Sequence, residues 1–164
     1  MTTESPSQPQ QTDWANAPGF EPAVDVKLEV EMAAARERVF RAITQELSAW
    51  FGPGGGSNGF RMTLEPFAGG RMWRDLGEAG GHLWGLVQVI KPPHLLEICG
   101  PMFVSAPSLS HLSFRLHETD GGGTRLEFRH LAMGCVPAAM RDGISEGWQS
   151  TLTKELKHHV ERNH

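Results

Sequence analysis

Six apolar residues near the C-terminus, Met140, Ile144, Trp148, Leu152, Leu156 and Val160, recur four positions apart with polar residues and glycines between them. That spacing predicts a helix with one apolar stripe. From Asp142 to Val160 it runs about 19 residues, roughly 28 Å at 1.5 Å per residue. Such a stripe needs an apolar surface of similar extent to lie on. A strict four-residue step drifts about 40° per step in an α-helix, so five steps drift about 200°. Met140 and Val160 therefore do not share one line on a straight helix. The expectation is a helix proper that starts near Asp142 as N-cap, with Pro137–Arg141 a separate turn. Gly143 and Gly147 either weaken that first turn, at about 1 kcal/mol each, or leave room over a cavity.

Most of the preceding hundred residues read as strands. Val24–Met32 alternates, with Val24, Val26, Leu28, Val30 and Met32 on one face and charged residues on the other, the mark of a half-buried strand. From Ala33 the spacing turns helical, with Val39, Phe40, Ile43 and Leu47 inward and an end near Trp50-Phe51. Then come strands over Phe60–Phe67 (Phe60, Met62 and Leu64 on one face), Arg71–Leu76, Leu83–Ile90 and His94–Cys99. Two more follow, Leu109–Glu118 with Leu112, Phe114 and Leu116 inward, and Thr124–Met133 with Leu126, Phe128 and His130 inward. Strand, helix, about six antiparallel strands and a long helix predict an α+β fold, one curved sheet gripping the C-terminal helix.

Composition narrows the function classes. A chain of 164 residues fits one domain, residues 23–164, behind a tail. That tail, residues 1–22, is rich in Pro, Gln, Ser and Thr and is expected to be disordered, with Trp14 and Phe20 its only large apolar side chains. A net charge of −4 gives no reason to expect nucleic-acid binding. No apolar run approaches the roughly 18 residues a membrane span needs, and no secretory signal is visible at the N-terminus. Cys99 and Cys135 lack a CxxC spacing and read as free thiols, one or both buried, in a reducing cytoplasm.

The candidate chemistry is sparse. The glycine-rich Gly52–Gly59 lacks the Gly-Lys-Ser/Thr ending of a phosphate loop and follows a helix instead of a strand. A flexible loop, able to act as a lid at a cavity mouth, is the expectation. His130 shares inward parity with Leu126 and Phe128, so it is either a satisfied core histidine or a group that orients a ligand or moves a proton. Arg74 shares a face with Met72 and Leu76, opposite Trp73 and Asp75. Parity does not say which face is concave; an inward Arg74 could pair with a ligand carboxylate, an outward one is a surface arginine. His158 and His159, with His164 behind them, point about 100° apart if helical. His111 and His117 lie about 20 Å apart along a strand. Neither pair predicts a metal site, and no cofactor is implied. No nucleophile elbow, HExxH or paired catalytic carboxylates appear, and Glu65 and Glu127 fall on polar parity.

Several segments carry a resemblance to a known family: Val26–Met32 followed by Ala35–Ala42, Trp50-Phe51, Glu65–Arg71, Gly85–Leu95, Gly122–Phe128 and Gly147–Leu152. Over residues 24–160 the chain resembles the START-like (SRPBCC) helix-grip superfamily. Within it the resemblance is to the AHSA branch, homologues of the C-terminal domain of the heat-shock ATPase activator. The resemblance implies a seven-stranded antiparallel sheet wrapped round the C-terminal helix, with an apolar cavity between them. Its members variously bind lipids or other hydrophobic small molecules, cyclise polyketides or contact a chaperone, and they share no catalytic signature. The residues expected to line such a cavity are Trp50, Phe51, Met62, Leu64, Trp84, Leu112, Phe114, Phe128, His130, Met133, Ile144, Trp148 and Leu152. Trp84 competes with an alternative inward set, Leu83, Gly85, Val87 and Val89. The leading expectation is a cytoplasmic binder of a small hydrophobic ligand without assigned catalysis. The alternatives are a cyclase-like enzyme using the same cavity, or a chaperone-contacting module, weakened because the activator's separate N-terminal domain is not seen in this chain. A homodimer is compatible with each.

Overall fold

The computed structural model describes residues 21–52, 56 and 59–162. The expected tail up to residue 20, most of the Gly52–Gly59 stretch and His164 lie outside the described residues. The elements in order are β1 (Val24–Met32), α1 (Arg36–Gln45), α2 (Leu47–Trp50), β2 (Arg61–Leu64), β3 (Arg71–Gly77), β4 (Gly80–Lys91), β5 (Leu95–Gly100), β6 (Ser108–Glu118) and β7 (Thr124–Gly134). The chain ends in α3 (Ala138–Ser150), a π-helical segment (Thr151–Leu156) and α4 (Lys157–Glu161). The strands form one sheet in the order β1-β7-β6-β5-β4-β3-β2, every neighbouring pair antiparallel. The fold is α+β, a seven-stranded sheet with a long C-terminal helix, as the sequence predicts.

The sheet is a meander except where β1 pairs β7, with Leu28 opposite Phe128. Its concave face carries the alternating apolar residues: Val24, Val26, Val30 and Met32 of β1, Leu112, Phe114 and Leu116 of β6, and Leu126 and Phe128 of β7 are all buried. Across that face lies the C-terminal stripe, with Ile144, Trp148, Leu152, Leu156 and Val160 all buried. This is the dominant apolar burial of the fold and its main source of stability.

The helix does not start at Asp142. Pro137 caps α3 and Ala138 is its first residue, as suits a proline whose missing N–H costs nothing at a helix start. The four-residue drift is absorbed elsewhere. In the π-helical segment the Lys157 N–H reaches back to the Leu152 carbonyl, five residues away. A turn closed by i→i+5 bonds takes more residues than the 3.6 of an α-helix. A four-residue step therefore keeps Leu152 and Leu156 on the core side.

β4 also departs from strict alternation. Met72 pairs with Gly85 but Trp73 with Leu83, so Trp84 is an extra residue on β4, a β-bulge. A second register shift falls between Val87 and Val89. The bulge puts Trp84 on the concave side together with Gly85, while Leu83 and Leu86 are exposed. Of the alternative inward set, Gly85 and Val87 are buried as well, Val89 is half-buried and Leu83 is not buried. Gly85 and Gly100 meet back to back here: a Cβ on Gly100 would run into the Gly85 Cα and the Trp84 carbonyl.

Both cysteines are free, as expected, but neither is buried. Cys99 is half-buried, where burial pushes its thiol up, and Cys135 is exposed.

Candidate functional site

Between α3 with the π-helical segment that follows it and the β3–β4 end of the sheet is a cavity of about 590 Å³, open to solvent. That volume is in the range of small-molecule sites. Phe51, Phe60, Trp84, Phe103, Ile144 and Trp148 form its apolar wall. The rings meet edge to face: Trp84 lies 5.6 Å from Phe51 and 5.4 Å from Phe103, and Phe51 lies 5.8 Å from Trp148, between centroids. Such pairs prefer T-shaped contacts, which hold the rings as a rigid frame.

Gly143 and Gly147 line the mouth. They sit four apart on α3 beside Ile144 and Trp148, and a Cβ at either would meet nothing within 4 Å. Of the two readings the sequence left open, room over a cavity describes their position. Helix side chains there would narrow the opening.

The polar wall residues are few. Arg74 on β3 faces the concave side, with its guanidinium carbon 4.1 Å from the Phe60 ring centroid. Its Nε is buried and makes no hydrogen bond, and the same holds for Trp84 Nε1. His82, opposite Arg74 on β4, and Glu155 of the π-helical segment complete the charged or titratable lining.

His130 lies beneath the wall, fully buried. Trp148 Nε1 donates to His130 Nδ1 at 2.9 Å. An acceptor Nδ1 carries no proton, so the neutral ring holds its proton on Nε2, which faces Ser110 Oγ at 3.0 Å. Burial pushes the His130 pKa down to about 4. The ring is neutral near pH 7 and both nitrogens are engaged, the geometry of a satisfied core histidine.

Of the residues expected to line a cavity, Phe51, Trp84, Ile144 and Trp148 do so. Leu112, Phe114, Phe128, His130 and Leu152 form the packed layer under Trp148, whose ring lies 4.5 Å from that of Phe128. Trp50 is buried between α1 and α2, its indole N–H bonded to the Ala42 carbonyl at 3.0 Å. Met62 and Leu64 border a separate cleft beside α2. Met133 is a correction: it has opposite parity to His130 on β7 and is 41% exposed. Phe60, Phe103, His82 and Glu155 line it as well, outside the expected set. Phe103 follows Pro101 in a stretch without alternation, which left no periodic signal. His82 precedes the bulge, which shifts the parity that would have marked it.

Among the described residues no three His, Cys, Asp or Glu side chains gather as a metal site would require. His111 and His117 face outward, beside Glu97 and Glu127. Among the described residues no helix is long and apolar enough to cross a membrane.

The model of one protein family, "Activator of Hsp90 ATPase homolog 1-like protein", matches residues 33–161. No functionally curated protein matches the chain. Among solved structures, an uncharacterised protein from Rhizobium leguminosarum superposes with a TM-score of 0.67 at 21% identity, over 85% of this chain and 95% of its own. The Aha1 dimer from Colwellia psychrerythraea gives 0.61 at 19% identity, over 84% and 96%. CalU16 from Micromonospora echinospora gives 0.60 at 20% identity, over 85% and 77%. Likeness at these identities speaks for the fold alone.

Proposed function

The chain belongs to the Activator of Hsp90 ATPase homolog 1-like family, and from that premise we propose that it binds a small hydrophobic molecule in the cavity between the sheet and α3. The observation that carries this reading is the wall itself. Six large apolar side chains line about 590 Å³, and the adjoining helix carries two exposed glycines on the lining, with open space where each Cβ would stand. Apolar concavity with few polar groups is the usual character of a ligand site.

The test is thermal unfolding against fatty acids, sterols, aromatic polyketides and flavonoids. A ligand that binds only the folded chain stabilises it by about 2.7 kcal/mol at 100 times its Kd. The rise in midpoint should be dose-dependent and absent in Gly147→Leu, whose side chain enters the mouth. A panel without effect, or a shift that survives Gly147→Leu, would remove the cavity as the binding site.

One observation favours the enzyme alternative. His82 and Glu155 are titratable groups on the same wall, whereas His130 has both nitrogens committed. A cyclase-like activity on a polyketide would depend on His82 and vanish in His82→Gln, while ligand binding persists. A chaperone contact would instead use exposed apolar residues such as Leu83 and Leu86, and complex formation with a chaperone ATPase would then fall in Leu83→Ser.

A further inference from the structure

We infer that the ligand of this cavity is an amphipathic acid, an aromatic body carrying one anionic group that Arg74 and Trp84 bind. The inference rests on the cavity reading above and adds the chemistry of the head group.

Two hydrogen-bond donors on the cavity wall lack acceptors. Trp84 is 5% exposed and its Nε1 has no partner, and Arg74 Nε is buried without one. A buried polar group left unpaired costs free energy, so native structures nearly always pair it. Both residues line the same cavity. The other buried indoles of this wall and its surroundings obey the rule: Trp148 bonds His130, and Trp50 bonds the Ala42 carbonyl. Two other buried nitrogens lack a hydrogen bond, Arg36 Nε and His117 Nε2, but each of those side chains has a carboxylate beside it, whereas the two on this wall stand where a ligand would sit.

Their chemistry selects the missing partner. Indole and guanidinium only donate, so the partner is an acceptor. A guanidinium stacked over an aromatic face, as Arg74 lies over Phe60, can still donate from its edge, and its planar fork matches a carboxylate or sulfonate. No carboxylate neutralises Arg74 among the described residues. Glu155, the one carboxylate on the wall, forms no ion pair with it. The cation is therefore available in a largely apolar enclosure, where charge-assisted hydrogen bonds are strong. The π-faces of Phe51, Phe103 and Trp148 remain for the ligand's body.

A matched pair of fluorescent probes tests this. 8-Anilinonaphthalene-1-sulfonate and N-phenyl-1-naphthylamine share one aromatic body and differ by the sulfonate. Titrated into the full chain, the sulfonate should bind about tenfold or more tighter, the range of a charged hydrogen bond. Arg74→Gln should remove that preference, bringing the sulfonate's affinity down to that of the neutral probe. Trp84→Phe keeps a ring and deletes the N–H, so it should lower sulfonate binding alone; it also serves if Arg74→Gln fails to fold. Gly147→Leu should abolish both, which places the probes in this cavity. Equal affinities, or a sulfonate preference that survives both substitutions, would overturn the inference and leave the cavity reading standing. Binding of neither probe would overturn the cavity reading and the inference with it.

Discussion

Trp148 donates its indole N–H to Nδ1 of His130, 2.9 Å away, joining the C-terminal helix to β7 of the sheet. The bond fixes the tautomer and leaves no room for a second proton on Nδ1. A histidine with its pKa brought from 6.5 to about 4 by burial makes stability depend on pH with a definite sign. Between those values the unfolded chain holds a proton the folded chain does not, so lowering the pH favours unfolding. The loss begins as pH falls past 6.5 and is complete below about 4. It amounts to about 3 kcal/mol, at 1.36 kcal/mol per unit. Denaturant unfolding of the wild type and of His130→Gln across pH 4–7 checks this. The difference between the two curves should shrink as pH falls; parallel curves would falsify the assignment.

The bulge at Trp84 makes a second prediction. It depends on the close approach of Gly85 and Gly100, where a methyl group has no space. Gly100→Ala forces the backbones of β4 and β5 apart, a type of overpacking that costs about 1–3 kcal/mol. Because Trp84 is the inserted residue, the same change should displace its ring and weaken probe binding in the cavity. A stable Gly100→Ala protein with unaltered binding would show that the bulge does not set the wall.

These two residues mark where the sequence was legible and where it was not. Leu126, Phe128 and His130 alternate without interruption, so period-two parity placed all three correctly. The same rule could not place Trp84, because one inserted residue reverses parity and leaves no local mark in composition. The four-residue stripe held the information that the helix is not a uniform α-helix. Taken from spacing alone, the drift predicts a late start at Asp142. The turn instead widens at Thr151–Leu156. Arg74 had its face left open by parity, and only the contact with Phe60 settles it.

Glu46 fastens the helices to each other. It accepts from Arg38 at 2.9 Å, Arg41 at 3.2 Å and His159 at 2.6 Å, so the α1–α2 junction is tied to α4. Burial raises the Glu46 pKa, but the hydrogen bonds from His159, Arg38 and Arg41 and the Arg38 charge together outweigh it, and the net direction is down. A lowered carboxylate contributes stability above its unfolded value, near 4.5, and loses it as pH falls through the folded value. Glu46→Gln should therefore destabilise by about 1 kcal/mol near neutral pH, the scale of partly exposed pairs. It should match the wild type in acid. Urea midpoints at pH 7 and pH 3 decide it, and an equal deficit at both would assign the loss to packing.

Glycine inside a helix costs about 1 kcal/mol relative to alanine, and α3 carries two, Gly143 and Gly147, with open space where each Cβ would stand. Neither is held by a positive φ, since both lie within the helix. Nothing in the fold opposes a methyl group, so Gly143→Ala and Gly147→Ala should each raise stability by about 1 kcal/mol. The sites are four apart on the helix and both line the cavity. The two alanine variants should accordingly gain in unfolding midpoint without ligand, and Gly147→Leu should gain as well while losing ligand-dependent stabilisation. Melting curves of the three variants, with and without a ligand that stabilises the wild type, separate the two effects. If Gly147→Leu melts higher and still responds to that ligand as the wild type does, the glycines have no part in access and the entrance lies elsewhere on the wall.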